Sequence, residues 1–368
     1  MKIIISGGGT GGHIYPAITI ANCIKEIKPE AEIIFVGTEK GLEKDIVPRY
    51  GYPLKFITVA GFERHLGVST LVSAEKLCAG LWEARTLLKE LKPDLAIGTG
   101  GYVCGPILWQ AALKGIPTCI QEQNAMPGVT NKILSRFVDK IFLGYQEGAT
   151  AFGGKAEKVY TGNPVRKEIL INRRQEGLEF FGLSPNKKTL LVFGGSRGAR
   201  SINNAMVAVE QKLAGNDNVQ VLHATGTLDY DKHMGKLGKK VLTAENIKVL
   251  PYIHEMPLAL SVADMAVSRA GAIGLAELMV KGIPSILIPY PYATANHQEY
   301  NARALEQQGA AKVILDKALA GETLLITLEK LLTEQDVLAN MHQAALLVSK
   351  PHAAEDIAQG ALELVKKN

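Results

Sequence analysis

The sequence contains few cysteines, few aromatic residues and little net charge. Its 368 residues include four cysteines and 6% aromatic residues, and the formal net charge is +5. The cysteines have neither C-x-x-C spacing nor the density of a disulfide scaffold, so the sequence predicts reduced thiols and suggests no metal site. The small charge gives no indication of nucleic-acid binding. The four cysteines are Cys23, Cys78, Cys104 and Cys119.

Long apolar runs are also missing. No stretch approaches the roughly 18 apolar residues that a membrane-spanning helix requires. The apolar run near the start covers only residues 3–5 before the first glycines. The sequence therefore predicts no membrane-spanning helix and no secretion signal, and we expect the chain to remain in the cytoplasm.

Glycine and short β-branched runs are plentiful. The chain has 37 glycines and 47% hydrophobic residues, which is ordinary for a globular protein of about two domains. In the first half, runs such as KIIIS and EIIFVG alternate with longer amphipathic segments, and TLLVFGG, VQVLHA and SILIPY repeat the scheme in the second half. This alternation predicts an α/β fold with two doubly wound parallel-sheet domains.

The two halves repeat one plan. GGTGGH in the first half has its counterpart in GGSRGA in the second, and the tetrapeptide KGIP occurs in both. The segment YTGNPVR follows the last strand run of the first half, so we place the hinge near Asn163 and Pro164. The predicted domains are residues 1–163 and residues 164–345, with a C-terminal helix in residues 346–368 that packs back towards the first domain.

The first glycine loop can be compared with the loops that bind nicotinamide cofactors. Gly7, Gly9 and Gly12 fit the G-x-G-x-x-G spacing of dinucleotide-binding folds. Such a fold also needs an acidic residue at the end of the second strand, for the ribose hydroxyls. Here that strand ends at Thr38, with Glu39 beyond it, which is a poor fit. The sequence therefore disfavours a nicotinamide-dependent oxidoreductase.

Four glycine turns favour a phosphate-bearing ligand instead. In a doubly wound sheet, ligands bind outside the carboxyl ends of the strands, where helix N-termini present free N–H groups. Two domains that carry such turns would line a cleft from both sides with bare backbone. The turns lie at Gly8, Gly100, Gly194 and Gly271.

Seven segments resemble the signature blocks of the MurG family of cell-wall glycosyltransferases. The blocks are GGTGGHIYP, GGYVCGP, QEQNAMPGVTNK, TGNPVR, GGSRGARSIN, SRAGAIGLAE and PYATANHQEYNA, and they occur in the family's order. The resemblance implies the GT-B fold, with two Rossmann-like domains and an interdomain cleft, and an enzyme of peptidoglycan synthesis.

The activity implied by the resemblance is an inverting transfer. N-acetylglucosamine would move from UDP-N-acetylglucosamine to the C4 hydroxyl of N-acetylmuramic acid in undecaprenyl-pyrophosphoryl-N-acetylmuramyl-pentapeptide. The family uses no nicotinamide cofactor, and the resemblance implies neither a cofactor nor a metal. It also implies a peripheral enzyme on the cytoplasmic face of the cell membrane.

The resemblance also implies a set of donor-binding residues. The N-terminus of a helix at Ala272, Ile273 and Gly274 would hold the diphosphate, and Glu277 would bind the ribose hydroxyls. Gly274 departs from the family pattern, because many relatives have threonine there. The other donor contacts implied are Ser196, Ile253 and Gln298 in the second half, and Thr10, Gly11, Gly12, Asn124 and Arg166 in or beside the first. For Arg166, a plain ion pair between domains is the competing interpretation.

Two side chains compete for the role of general base. An inverting transfer needs a base that takes the proton of the attacking hydroxyl. His13, which follows the first glycine loop, is the first candidate, and Glu122 of the QEQN segment is the second. His13 could also bind the acceptor diphosphate or simply pack at the helix start.

An apolar helix and a basic stripe suggest contact with an anionic membrane. The segment 66–89 places Leu71, Leu77, Leu81 and Trp82 along one helix. Lys132, Arg136 and Lys140 follow at i, i+4 and i+8, and we predict them on one following helix. The alternative is that the apolar residues belong to the core.

Other functions remain open at this point. A non-enzymatic nucleotide-sugar binder would need only the second half, and would leave His13 and Asn124 without a role. Another GT-B enzyme, such as a natural-product glycosyltransferase or a UDP-N-acetylglucosamine epimerase, would share the donor blocks but not GGTGGH together with QEQN.

Overall fold

The chain divides into two compact units. A computed structural model describes residues 1–59, 68–195 and 198–366, without the side chains of residues 68–77 and 335. Unit 1 comprises Met1–Val165 and Lys350–Asn368, and unit 2 comprises Arg166–Ser349. The first unit boundary and the second lie a few residues beyond the predicted domain ends at residues 163 and 345.

Unit 1 is built on a parallel sheet of seven strands. The strand order is β3-β2-β1-β4-β5-β6-β7. The strands are β1 (Lys2–Gly7), β2 (Glu32–Gly37), β3 (Leu54–Phe56), β4 (Leu95–Gly100), β5 (Thr118–Glu122), β6 (Lys140–Leu143) and β7 (Glu157–Tyr160).

Helices cover both faces of this sheet. Ile3 and Ile5 of β1 point to one face and pack with the helix that follows β1, whereas Ile4 points to the other face. Successive side chains alternate across a strand, so a continuous apolar run buries residues on both sides. The helices are α1 (Gly11–Ile27), α2 (Glu43–Ile46), α3 (Val68–Leu91), α4 (Cys104–Leu113) and α5 (Val129–Leu134).

Unit 2 repeats the arrangement with six parallel strands. The order is β10-β9-β8-β11-β12-β13. The strands are β8 (Lys188–Phe193), β9 (Val219–Ala224), β10 (Ile247–Leu250), β11 (Met265–Ser268), β12 (Ser285–Leu287) and β13 (Ala311–Val313). The helices are α6 (Lys167–Leu170), α7 (Arg174–Phe181), α8 (Arg200–Leu213), α9 (Tyr230–Met234), α10 (Lys239–Leu242), α11 (Met256–Val262), α12 (Ala272–Val280), α13 (His297–Gln307), α14 (Gly321–Thr333) and α15 (Gln335–Val348).

The last helix belongs to unit 1. α16 (Ala353–Lys366) packs on α1 through a stripe that includes Ile357, Ala361 and Leu362. Gly360 meets the sheet, because a Cβ there would lie 2.8 Å from the ring of Phe142. The chain therefore returns to the first sheet after it completes the second.

Both sheets have a topological switch point at their centre. Strand order reverses between β1 and β4 in unit 1, and between β8 and β11 in unit 2. Ligands of doubly wound folds bind at such points, outside the carboxyl ends of the strands. The predicted α/β class with two doubly wound parallel sheets is confirmed.

One prediction about basic residues was wrong. Helix α5 ends at Leu134, and Lys140 opens strand β6, where it is buried and lies 3.2 Å from Glu157 in an ion pair. Lys140 precedes a run of apolar residues that enters the sheet, so it takes the strand's conformation rather than continuing a helix. Lys132 and Arg136 thus have no third partner on a helical stripe.

The four cysteines carry free thiols. Cys23, Cys104 and Cys119 are buried, and Cys78 is exposed. Burial raises the pKa of Cys104 to about 11, so its thiol stays protonated and donates a hydrogen bond to the carbonyl oxygen of Ser6, at 2.8 Å. Cys104 thereby joins the end of β1 to the start of α4.

Candidate active site

Two glycine loops meet at the switch point of unit 1. Gly101, which follows β4, has φ +83°, and a Cβ there would lie 2.4 Å from the carbonyl oxygen of Gly8. Glycine alone tolerates both the backbone conformation and this approach. The loops after β1 and β4 are therefore held in direct backbone contact.

His13 lies in the first turn of α1, directly after the first of these loops. Thr10 is the N-cap, with φ −139° and ψ 156°, and its carbonyl oxygen accepts a hydrogen bond from the N–H of His13 at 3.1 Å. The half-buried imidazole ring rests on Gly100, where a Cβ would come within 2.9 Å of Nδ1. The helix start therefore places His13 beside the end of β4.

The hydrogen bonds of His13 define its tautomer. Nδ1 lies 3.0 Å from the carbonyl oxygen of Thr99 and 3.0 Å from Oε1 of Gln123. Both partners are acceptors, so Nδ1 carries the hydrogen and donates it. In the neutral ring, Nε2 then holds the lone pair and is the nitrogen that can take up a proton.

A buried carboxylate, absent from the sequence predictions, organises the first glycine loop. Glu43 accepts hydrogen bonds from the N–H groups of Gly9 (2.9 Å) and Thr38 (2.8 Å) and from the Thr38 hydroxyl (3.0 Å). Side chains at Gly8, Gly37 or Gly41 would strike it, since a Cβ at each would lie within 3 Å. The density of glycines in these loops is the signal that could have revealed it.

Glu43 also explains why the dinucleotide fingerprint is misleading. An acidic group does lie at the end of β2, as a dinucleotide fold requires. However, its oxygens accept bonds from the N–H of Thr38, directly after β2, and from the N–H of Gly9 in the first glycine loop. Its hydrogen bonds therefore give it a role in shaping the loop.

Glu122, the second candidate base, holds a loop together. Its oxygens accept bonds from the backbone N–H and the side-chain amide of Asn124, at 3.0 and 3.2 Å, from the N–H of Gly128 at 3.1 Å, and from the side-chain amide of Asn131 at 2.9 Å. Glu122 is also 2% exposed. Four donors, from the loop after β5 and from α5, thus surround a buried carboxylate.

In unit 2, two helix N-termini point to the switch point. α8 follows β8, and α12 follows β11 with Gly271 as its N-cap. Gly198, just before α8, lies against the residue that follows β9, since a Cβ at Gly198 would lie 2.1 Å from the carbonyl oxygen of Thr225. Ser196 of this loop lies outside the described residues. The first turn of α12 contains Ala272, Ile273 and Gly274, whose N–H groups precede the regular hydrogen bonding of the helix.

Arg269 connects the loops around this point. Its guanidinium donates to the carbonyl oxygens of Ile288 and Pro289, at 3.1 and 3.2 Å, and to the hydroxyl of Ser201 at 2.8 Å. It also forms an ion pair with Asp316 at 2.5 Å. These bonds tie the loops after β11 and β12 to the start of α8.

Two of the predicted donor-binding residues form an ion pair. Glu277 of α12 is 8% exposed and lies 3.1 Å from the guanidinium of Arg166. Burial raises the pKa of Glu277, and the positive charge of Arg166 opposes that rise. Both residues belong to unit 2, so this pair is not a link between the two units.

Gln298 and Ile253 are placed by the backbone around them. Oε1 of Gln298 accepts bonds from the N–H groups of Ala270 (3.2 Å) and Tyr290 (2.9 Å). Ile253 is buried, at 6% exposed, between β10 and α11. At Gly274, a Cβ would have its nearest neighbour at 3.9 Å, so the backbone leaves room for a Cβ there.

A buried cluster of Glu210, His223 and His233 was not predicted. Glu210 accepts from Nδ1 of His223 at 2.7 Å and from Nε2 of His233 at 2.8 Å. The three residues could geometrically hold a metal ion. Their hydrogen bonds pair each carboxylate oxygen with one imidazole, whereas the buried Nδ1 of His233 has no hydrogen-bond partner among the described residues.

Comparisons with known proteins extend this description. The model of the glycosyltransferase family 28 N-terminal domain matches residues 3–143, and the model of the C-terminal domain matches residues 189–359. A protein of Desulforamulus reducens, named UDP-N-acetylglucosamine–N-acetylmuramyl-(pentapeptide) pyrophosphoryl-undecaprenol N-acetylglucosamine transferase, is 48% identical over 97% of each chain.

Solved structures agree on the fold. MurG of Acinetobacter baumannii matches with a TM-score of 0.79 and 26% identity, over 98% of this chain and 99% of that one. UDP-GlcNAc 2-epimerase of Neisseria meningitidis matches with a TM-score of 0.70 over 100% of both chains, but at 11% identity it supports only the fold.

The two doubly wound sheets, each with glycine turns and helix N-termini at its switch point, define a glycosyltransferase of the GT-B fold. The chain belongs to glycosyltransferase family 28, and within it to the MurG family of N-acetylglucosamine transferases.

Proposed function

We propose that this enzyme transfers N-acetylglucosamine from UDP-N-acetylglucosamine to the C4 hydroxyl of N-acetylmuramic acid in the undecaprenyl-pyrophosphoryl pentapeptide acceptor, with inversion. The name of the Desulforamulus reducens relative, at 48% identity, supports these substrates. One observation carries the mechanism: the donor role of Nδ1 in His13 makes Nε2 the proton acceptor. His13 then takes the hydroxyl proton as the new glycosidic bond forms.

His13 is the better base of the two candidates. Both oxygens of Glu122 accept bonds from its own loop, and moving that carboxylate would break four hydrogen bonds at once. His13 needs no such rearrangement at Nδ1, because the proton is taken up at Nε2 while Nδ1 keeps its bonds to Thr99 and Gln123. We therefore assign Glu122 to the support of Asn124 and of the loop 122–131.

Unit 2 is the donor-binding half of this proposal. The first turn of α12 offers N–H groups and the positive end of the helix dipole to the diphosphate of UDP. Glu277, five residues into the same helix, would bind the ribose hydroxyls. Arg166 pairs with it at 3.1 Å and opposes the rise of its pKa that burial causes. The contacts of Ser196, Ile253 and Gln298 with the donor stay predictions.

In unit 1, the contacts of Thr10, Gly11, Gly12 and Asn124 with the donor sugar also stay predictions. They derive from the family resemblance. Thr10, Gly11 and Gly12 also follow β1 at the switch point of the first sheet, and Asn124 comes shortly after β5, the neighbour of β4.

We further propose that unit 1 attaches the enzyme to an anionic membrane surface. Within the described residues, no helix is long and apolar enough to cross a membrane. Helices α3, α4 and α5 lie side by side and expose large apolar side chains. Trp82 is 70% exposed, so it is a surface residue rather than part of the core. The other exposed apolar side chains on α4 and α5, and directly after α5, are Trp109, Leu113, Val129, Ile133 and Phe137.

Basic residues accompany this apolar surface. Lys132 lies on α5 beside Ile133, and Arg136 lies just beyond the end of the helix and is exposed. An apolar surface with adjacent cations suits the interface of an anionic bilayer. Leu81 is only partly exposed, and the side chains of Leu71 and Leu77 lie outside the described residues.

The test of the mechanism is His13→Ala. Turnover should fall by about a hundredfold or more, the usual share of general-base catalysis, whereas UDP affinity should change by less than about threefold, since unit 2 is the donor-binding half of this proposal. His352→Ala, an exposed histidine of the same unit, is the matched control and should keep full turnover. Normal single-turnover chemistry with weakened acceptor binding would instead assign His13 to the acceptor diphosphate.

A further inference from the structure

Three buried amide side chains lead from the hinge to His13. We propose that Asn163, Gln121 and Gln123 form a positioning chain that fixes the Nδ1–H tautomer of His13 and supports the positive charge that His13 gains on taking a proton. This inference rests on the proposed role of His13 as the base. All four residues lie in unit 1.

The amides are linked head to tail. Gln121 donates from Nε2 to Oδ1 of Asn163 at 3.0 Å, Gln123 donates from Nε2 to Oε1 of Gln121, and His13 donates from Nδ1 to Oε1 of Gln123 at 3.0 Å. Each amide in the chain accepts on one side and donates on the other. Every hydrogen bond therefore points from His13 and the glutamines towards Asn163 or towards a carbonyl.

Backbone groups fix the direction of the chain. Nε2 of Gln123 also donates to the carbonyl oxygens of Thr99 (2.7 Å) and Gln121 (3.1 Å), which can only accept. At the far end, Nδ2 of Asn163 donates to the carbonyl oxygen of Gln123 at 2.9 Å. If the Gln123 amide were flipped, its oxygen would face three other oxygens. Oε1 of Gln123 must therefore face His13.

Burial makes this arrangement energetically significant. Gln121, Gln123 and Asn163 are at most 4% exposed, so water cannot replace a lost partner. Asn163 also fills the space at Gly144, where a Cβ would lie 2.4 Å from its amide. Hydrogen bonds are stronger in such an environment, and broken ones are correspondingly costly.

The chain favours the protonated product of the base step. A bond from a charged imidazolium to an amide oxygen is stronger than the same bond from a neutral imidazole. Gln123 therefore raises the proton affinity of Nε2, in the manner of the carboxylate that orients a catalytic histidine. Because it is neutral, it does so without trapping the proton on His13.

Nitrogen-15 NMR of the wild-type enzyme, labelled on histidine, tests the tautomer directly. The His13 signals, assigned by their loss in His13→Asn, should show a hydrogen on Nδ1 and none on Nε2 at a pH where the ring is neutral. A hydrogen on Nε2 would overturn the proposal, and this measurement depends on no variant of the chain.

Two substitutions at Gln123 should then have different effects on the pKa of His13. Gln123→Met keeps the side chain's length but removes the acceptor, so the NMR-measured pKa of His13 should fall by about 0.5 to 1, and kcat by about three- to tenfold. Gln123→Glu keeps an acceptor for Nδ1–H, although its second oxygen replaces the Nε2 donor that faces three acceptor oxygens, so the pKa of His13 should fall less than in Gln123→Met or rise. A merely structural role predicts no such difference between the two variants.

Two further variants test the next link of the chain and control for indirect effects on the pKa of His13. Gln121→Met removes the acceptor of the next link and should lower the pKa of His13 less than Gln123→Met does. Gln146→Met, an exposed glutamine of the same unit, is the matched control and should leave the pKa unchanged. Equal pKa values in Gln123→Met, Gln123→Glu and the wild type would refute the chain.

Failure of the proposed function gives a different result. If His13→Ala retained full turnover, His13 would not be the base. The tautomer of His13 and its pKa in the Gln123 variants would still show whether the hydrogen-bonded chain exists. If instead His13→Ala lost turnover but the tautomer were reversed, the result would support His13 as the base and would refute the positioning chain.

Discussion

Replacement of Glu43 is expected to destabilise unit 1 strongly, although this residue is no part of the predicted site. Its carboxylate is 1% exposed and accepts three hydrogen bonds, two from Thr38 on Oε1 and one from Gly9 on Oε2. It links the end of β2 to the loop that precedes His13. The glycines around it leave no other side chain that could take its place.

The expected loss in the free energy of unfolding follows from these three hydrogen bonds. Glu43→Gln keeps the size of the side chain, but its NH₂ group must face either Thr38 or Gly9, where a donor already points. One buried donor is then left unsatisfied, which costs about 1 to 3 kcal/mol. Glu43→Ala removes all three bonds and leaves a cavity, so we expect a loss of about 3 to 5 kcal/mol in the free energy of unfolding.

Tryptophan fluorescence during urea unfolding is the assay. Both tryptophans, Trp82 and Trp109, belong to unit 1, so the signal reports that unit alone. With a slope of about 2 kcal/mol per molar urea, the midpoint of Glu43→Gln should fall by about 0.5 to 1.5 M. Glu39→Gln removes the same charge from an exposed position nearby and should leave the midpoint nearly unchanged. Equal midpoints for the two variants would refute the reasoning.

Three further predictions concern donor binding, membrane attachment and pH. Glu277→Ala should weaken UDP binding by about 2 to 3 kcal/mol in calorimetry. An unchanged affinity would show that Glu277 does not bind the ribose. Lys132→Gln with Arg136→Gln should reduce flotation with anionic vesicles at low salt, while turnover on a soluble short-chain acceptor is retained; equal flotation would contradict the docking surface. Hydrogen bonds from two histidines hold the pKa of Glu210 below its ordinary 4.5 despite burial, so its stabilisation is complete above pH 4.5 and lost as pH falls through the lower folded value. The melting temperatures of wild type and Glu210→Gln should therefore converge on acidification, and a gap that stays constant would argue against an ionised Glu210.

The sequence alone was sufficient for the fold class and for the position of His13. Buried parallel strands such as β1 are continuous apolar runs, and the glycine turn and helix that follow them are local features of the chain. The order of the signature blocks then gave the family. These patterns can be recognised without the tertiary structure, because each lies within about ten neighbouring residues.

The tertiary structure decided which groups bond to one another. His13 reaches Thr99 and Gln123, which are 86 and 110 residues away, and its tautomer depends on both. Glu43 and the cluster around Glu210 are likewise completed by residues from other loops and strands. Lys140, which fits a helical spacing with Lys132, enters a buried strand instead. Spacing along the chain describes local geometry, whereas hydrogen-bond partners are brought together only when distant strands pair in the sheet.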